Sequence, residues 1–217
     1  RRSSDLGLAD PAELAGSWPD LDLLDPMLAS VAELEELARR TEAASLAVTG
    51  VSKSGGAGAS AGLGGFALVT STGFEGASLG SWTSLQVTAI AGEGTGMERD
   101  YDYSSVRHRA DLASPEAIGI SAGERAVRRL NPRKVDTRKV PVIFDPRTAA
   151  SFPGHLAGAV NGQAVARKTS FLRDKLDQRI FKPGVAIIDD PLRPRGLGSR
   201  PFDGEGVAAS RLAVIED

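Results

Sequence analysis

An α+β fold, with antiparallel strands and helices set apart from them, is what this sequence predicts, and three observations carry that reading. Apolar residues recur at three- and four-residue spacing in two separate stretches, near residues 31–46 and 115–130. Between them lies a stretch rich in Gly, Ser and Thr where apolar and polar residues alternate. Neither a regular strand–helix–strand alternation nor a fixed-period repeat runs through the chain, so segregated helices and strands are expected.

Taken in order, residues 1–26 are rich in Asp and Pro (Asp10-Pro11, Pro19-Asp20, Asp25-Pro26) and read as an extended lead-in with turns, a linker from a further N-terminal domain. The chain opens Arg1-Arg2-Ser3 without an initiator Met and stops in mid-pattern after Val214-Ile215, so a piece of something longer is expected. Ser30-x-x-Glu33 is a capping box, and Met27, Val31, Leu34 and Ala38 set the apolar stripe of a helix ending near Leu46. Glu35/Arg39 and Glu36/Arg40 are its expected i,i+4 ion pairs.

From Val48 to Tyr103, Thr83, Leu85, Val87 and Ala89 alternate with Trp82, Ser84, Gln86 and Thr88, which predicts three to five antiparallel strands joined at glycines. Ser114-Pro115 supplies an N-cap and an N1 proline, and Ile118, Ala122, Ala126 and Leu130 recur every four residues until Asn131-Pro132 stops a second helix. The polar, basic run 132–139 marks a boundary, giving a central α+β domain over 27–132 and the first part of a C-terminal domain over 133–217. In the latter, Val140–Phe144 and Val185–Asp190 read as strands around a helical stretch, 148–165, broken at Phe152-Pro153-Gly154.

Composition narrows the function classes. The 217 residues hold 26 Lys and Arg against 28 Asp and Glu, a net charge of −2, which disfavours naked DNA or an anionic membrane as partner. Absence of cysteine removes disulfides, thiolate zinc sites and cysteine nucleophiles, and fits a reducing cytoplasm. No apolar run approaches about 18 residues, so neither a membrane span nor a signal peptide is expected.

Several motifs fail on context. Gly62-x-Gly64-x-x-Ala67 imitates a dinucleotide fingerprint, but it precedes a strand where a helix is needed. Gly-x-Ser-x-Gly, centred on Ser60, Ser78 and Ser121, requires a strand before the serine and a helix after it. Ser60 reads as part of a glycine-rich turn, Ser78 as preceding a strand, and Ser121 as lying within the second helix. The two histidines, His108 and His155, are too few for a three-histidine zinc site, and His108 reads as a surface residue between Arg107 and Arg109. Arg125 to Lys139 holds seven basic residues against Asp136, which a nucleic-acid patch or a solvated helix end would both produce. Asp189-Asp190 and Asp203-x-Glu205 are candidate acid/base or metal carboxylates, with turn formation and pairing to Arg193, Arg195 or Arg200 as the commoner alternative.

One set of collinear pieces resembles a known family. Ser54-Gly55-Gly56-Ala57 followed by Thr70-Ser71-Thr72-Gly73-Phe74, then Tyr101-Asp102-Tyr103, Ile118-Gly119, Ser170-Phe171-Leu172, Asp189-Asp190-Pro191 and Phe202-Asp203-x-Glu205-Gly206, are similar in order and spacing to the TldD/PmbA proteins. These were once called modulators of DNA gyrase and are now regarded as a two-subunit metalloprotease; the likeness covers nearly the whole chain and is greatest to the PmbA, or TldE, branch.

The resemblance implies a protein about twice this length. It also implies where zinc would sit. The TldD branch carries H-E-x-x-x-H on a helix, and alignment through Gly162 and Ser170 puts Pro153, Gly154 and Gly158 at its His, Glu and His. Without imidazoles to hold an ion and a carboxylate to deprotonate its water, this chain is expected to carry no cofactor, with zinc in a TldD-like partner subunit. The implied role is a metal-free cytoplasmic subunit that scaffolds a chamber in which unfolded peptides are cleaved, with Ser170, Asp189, Asp190, Asp203 and Glu205 as candidate substrate or partner residues. A regulatory protein acting on DNA gyrase or DNA is the alternative, resting on Arg125 to Lys139; a hydrolase using Asp189 or Glu205 itself is a third.

Overall fold

The computed structural model describes residues 8–216, so the beginning of the expected lead-in, residues 1–7, lies outside the described residues. Two helices lie against one face of a three-stranded antiparallel sheet of order β1-β2-β3, the α+β arrangement that the patterning predicts. Helix α1 (Val31–Leu46) begins at the capping box: the Ser30 hydroxyl accepts from the Glu33 N–H and the Glu33 carboxylate accepts from the Ser30 N–H. Strands β1 (Val51–Val69) and β2 (Glu75–Ala91) form a long hairpin closed at Thr70–Phe74, and β3 (Glu98–Val106) pairs with the second half of β2. Helix α2 (Pro115–Arg128) starts at Ser114, whose hydroxyl accepts from the Ala117 N–H, with Pro115 in its first turn.

Alternation along β2 decides where the core lies. Leu85, Val87, Ala89 and Ala91 point to the helices and are buried, together with Ile118, Ala122 and Ala126 of α2. Because these side chains are small, the helices come close together. A Cβ added at Gly119 would collide with the Thr41 carbonyl oxygen and stand 2.7 Å from the Ala44 Cβ; at Gly123 it would stand 2.7 Å from a Val48 methyl. Glycine at these two positions is what lets α2 rest on α1.

Beyond α2 the chain forms short helices α3 (Pro146–Ala149), α4 (Ser151–Val160) and α5 (Gly162–Ala166), and a two-stranded sheet of β4 (Ile187–Asp189) and β5 (Leu212–Ile215). A second cluster fastens this part to the hairpin tip: Phe202 is fully buried, with its ring 5.0 Å from Phe74, 4.7 Å from Trp18 and 5.5 Å from Phe66. The described part of the lead-in is extended but pinned. Leu14 bridges Val207, Leu21 and Leu23 are buried, and the Ser81 N–H donates to the Leu23 carbonyl.

Several expectations need correction. Ser60 lies in mid-β1 opposite Ser84, and Ser78 lies inside β2 opposite Phe66, because the glycine-rich run is one unbroken strand rather than a chain of turns. Val140–Phe144 forms no strand: it has no partner to pair with, and Ile143 is 97% exposed. The helix breaks fall at Ala150 and Asn161 rather than at 152–154, since Pro153 occupies the first turn of α4, where no intrahelical N–H is required. Met27 stands ahead of α1 and is exposed, and the face turned inward centres on Leu37, Thr41 and Ser45. Arg39 reaches back three residues to Glu36 at 2.7 Å, while Arg40 leaves its own helix for Glu116 of α2 at 2.7 Å, so the two expected i,i+4 pairs are replaced.

Candidate functional site

Three places combine the chemistry-bearing residues. The first joins β3, α2 and α3. Asp100 accepts from the Tyr101 N–H at 2.8 Å and pairs with Arg147 at 3.0 Å and Arg129 at 3.3 Å, while the Arg147 guanidinium also lies 4.7 Å over the Tyr101 ring. Burial alone would raise the Asp100 carboxyl, but the Tyr101 N–H and the two guanidinium groups outweigh it and hold the carboxyl below its ordinary value. Alongside, the Ser121 hydroxyl donates to Asp102, and Arg125 pairs with Asp145 at 2.9 Å. The Arg147 N–H and Arg125 together lower the Asp145 carboxyl. Arg125 and Arg129, two of the seven cations singled out by the sequence, are thus matched to acids.

The second place ties the lead-in to the exit of β3. His108, expected on the surface, is 7% exposed; its Nε2 lies 2.9 Å from the Asp22 carbonyl oxygen and 3.2 Å from its carboxylate. Arg195 closes the cluster with 2.5 Å and 3.0 Å contacts to Asp22 and Asp111, rather than pairing with Asp189, Asp190, Asp203 or Glu205. Its hydrogen bond is the largest of the influences that lower the Asp22 carboxyl. Arg107 spans from the Ser81 carbonyl at 3.1 Å to those of Gly196 and Leu197 at 3.3 Å and 2.6 Å. Sequence alone offers a faint signal for this cluster: an Arg-His-Arg triplet beside Asp-rich turns, without the fold that joins them.

The third place is a groove of about 820 Å³ between α4–α5, the segment 172–185 and β5. Val160, Val165, Leu172, Phe181, Val185 and Ile215 line it, and Arg173, Lys175 and Lys182 bring positive charge to its walls against Asp177 and Glu216. A trough of mixed apolar and charged lining beside a short strand can take an extended segment by contact with alternate side chains.

The five candidate residues do not converge on one point of chemistry. Ser170 is buried and donates to the Ala159 carbonyl at 2.5 Å while accepting from the Leu172 N–H at 3.0 Å, tying the segment after α5 back to the end of α4. Asp189 is exposed at the end of β4, opposite Leu212. Asp190 accepts from the Leu192 N–H at 3.2 Å, and Asp203 accepts from the N–H groups of Glu205 and Val207 at 2.9 Å and 3.0 Å. Glu205 is exposed in that same turn.

Pro153, Gly154 and Gly158 sit on the exposed side of α4, and a Cβ at either glycine would meet open space. These residues offer no donor to an ion, so the set does not fit a zinc centre. His155 is exposed beside them, and among the described residues no group of three or more His, Asp or Glu is placed to hold a metal.

Comparison with known proteins places these features in a family. Residues 25–130 match the PmbA/TldA metallopeptidase central domain and residues 137–217 the PmbA/TldA metallopeptidase C-terminal domain. The chain is 39% identical to Metalloprotease PmbA of Escherichia coli O157:H7 and 35% identical to the Metalloprotease PmbA homolog of Haemophilus influenzae, in each case over 97% of this chain and 47% of the relative. It therefore spans about half the length of the curated relatives it matches. A crystal structure from Bacteroides thetaiotaomicron, described as a modulator of DNA gyrase, superposes with a TM-score of 0.90 at 30% identity, covering 97% of this chain and 49% of that one. TldE from Thermococcus kodakarensis shares the fold, with a TM-score of 0.78 at 22% identity over 97% of this chain and 47% of that one.

Proposed function

The chain belongs to the PmbA/TldA metallopeptidase family, and from that premise we propose that it is the metal-free subunit of a TldD/TldE-type metalloprotease, working in the cytoplasm with a TldD-like partner that carries zinc. The observation that carries the reading is α4. Where the catalytic branch has His, Glu and His, this helix presents Pro153, Gly154 and Gly158.

When bound in the partner, zinc supplies the activated water for peptide hydrolysis. This chain's own residues hold and orient. The groove beside β5 receives an extended, unfolded peptide by backbone pairing, which tolerates varied side chains, while Leu172, Phe181 and Ile215 take up apolar side chains. Cations at Arg173, Lys175 and Lys182 favour acidic residues or a terminal carboxylate in the bound segment. Ser170 keeps the return from α5 in place, and Asp189, Asp190, Asp203 and Glu205, which lie outside the lining of the groove, serve as further contacts for substrate or partner. The absence, among the described residues, of a helix long and apolar enough to cross a membrane is compatible with this role.

The test mixes the purified chain with a TldD-like subunit and follows peptide cleavage with and without a chelator. Cleavage should require both proteins and stop on chelation. Chelator-sensitive cleavage by this chain alone would sink the reading.

A further inference from the structure

The loop 191–200, between β4 and the buried Phe202, is built to move as one piece. Its base is closed by the Arg200 N–H, which donates to the Pro191 carbonyl at 2.9 Å. Within it the Gly196 N–H meets the Arg193 carbonyl and the Ser199 N–H meets the Gly196 carbonyl, both at 3.1 Å. A loop whose ends are close and whose turns bond to themselves keeps its shape without help from its surroundings.

The loop is fastened by its tip. There the Arg195 N–H donates to the Leu21 carbonyl at 2.8 Å, and the guanidinium pairs with Asp22 of the lead-in at 2.5 Å and with Asp111, beyond β3, at 3.0 Å. Arg107 reaches up to the Gly196 and Leu197 carbonyls from below. One arginine of the loop thus holds two separate segments, the lead-in and the turn that follows β3.

Backbone strain falls on this same contact. Arg195 has φ +55° and Asp22 has φ +50°, a left-handed conformation that residues with a side chain reach at a cost. Gly196 and Gly198 stand beside Arg195 and would take it freely, yet neither has a positive φ. Both partners of the ion pair are therefore wound against their preference. Strain of this kind persists only while neighbouring contacts hold it, and it is given back when they part.

We infer that the loop 191–200 is a latched flap: Arg195 is the latch, Leu21, Asp22 and Asp111 are the catch, and the tip lifts off as a unit while the lead-in, sheet and helices stay in place. The hinge falls at the base, where the Asp190 carboxylate accepts from the Leu192 N–H at 3.2 Å. A lifted tip thereby turns Asp189 and Asp190, offered above as contacts for substrate or partner. That consequence rests on the proposed function; the latch itself does not.

Amide hydrogen exchange in the intact chain, followed by NMR, tests the latch. Asp22→Asn combined with Asp111→Asn removes both anions at nearly unchanged size. The amide of Arg195 should then exchange at least tenfold faster. The amides of Ala15 and Ser81, bonded to the Gly206 and Leu23 carbonyls, and those of Leu85 and Val87 in β2 should keep their wild-type rates. Arg195→Ala should act likewise at position 195. Arg195→Gly also loses the side chain but suits the left-handed backbone, so it should open the flap less than Arg195→Ala. An unchanged rate at Arg195 in the double variant would overturn the inference. So would an acceleration shared by Ala15, Ser81 and β2, which is loosening of the whole molecule, or a glycine variant as open as the alanine one. No arm of the test uses the zinc-bearing partner or peptide cleavage, so the latch and the proposed function fail separately.

Discussion

Glu33 shows how one side chain can do two jobs. Its carboxylate accepts from the Ser30 N–H and hydroxyl and pairs with Arg109 at 2.7 Å, tying the start of α1 to the turn after β3. The Ser30 N–H, then Arg109, hold its pKa down to about 2 from 4.5. A depressed carboxyl stabilises the fold above its unfolded pKa, and that contribution fades as pH falls from about 4.5 towards about 2. Glu33→Gln should therefore melt lower than the parent at pH 6–7, with the difference closing progressively below about pH 4, as thermal melts across the pH range would reveal. Arg147 has the other instructive side chain. Truncation to Ala leaves Asp100 with Arg129 alone and strips the cation from Tyr101, at a cost of about 2 kcal/mol by urea denaturation. Capping residues such as Ser30 and Ser114 were legible before folding because they act within three residues. Asp100 and His108 were not, since their partners lie 47 and 86 residues away in the chain.

At the level of elements, the contact between α1 and α2 depends on two missing side chains. Gly119→Ala would force a methyl into the Thr41 carbonyl and Ala44, so it should destabilise by about 1–3 kcal/mol through overpacking, despite alanine's better helix propensity. The same substitution at Gly154, where a Cβ meets open space, should be neutral or slightly stabilising, and paired denaturation curves would separate the two. Periodicity found both main helices and the inward face of β2, where Leu85, Val87 and Ala89 alternate with polar residues. It failed on β1 because glycine and serine carry almost no hydrophobic signal, and on Val140–Phe144 because an apolar run becomes a strand only when another strand is there to pair with it.

At the scale of the molecule, the two parts of the chain are joined by identifiable contacts, among them Phe202 in the aromatic cluster, Arg107 on the 196–197 carbonyls, Arg195 on Asp22 and Asp111, Arg125 on Asp145 and Arg147 on Asp100. Phe202→Ala should cost about 3–5 kcal/mol, because it empties the centre of that cluster. Limited proteolysis should then cut first near 131–145, a stretch that forms no helix or strand until α3 begins. The motif set that marked the family was readable without a structure, whereas the groove beside β5 was not: its walls come from segments 160–185 and 213–216, which only the fold brings together.

Trp82 rests over Gly62 so closely that a Cβ there would stand 2.9 Å from its indole nitrogen. In a ribbon whose alternating glycines and alanines look alike every two residues, that ring works as a detent. A hairpin that zips two positions out of step towards the start of β1 would bring Ser60 up against the indole, and the error would announce itself by a shifted tryptophan emission during refolding. Filling Gly62 with alanine should turn a smooth, single-exponential closure into one with a slow corrective phase.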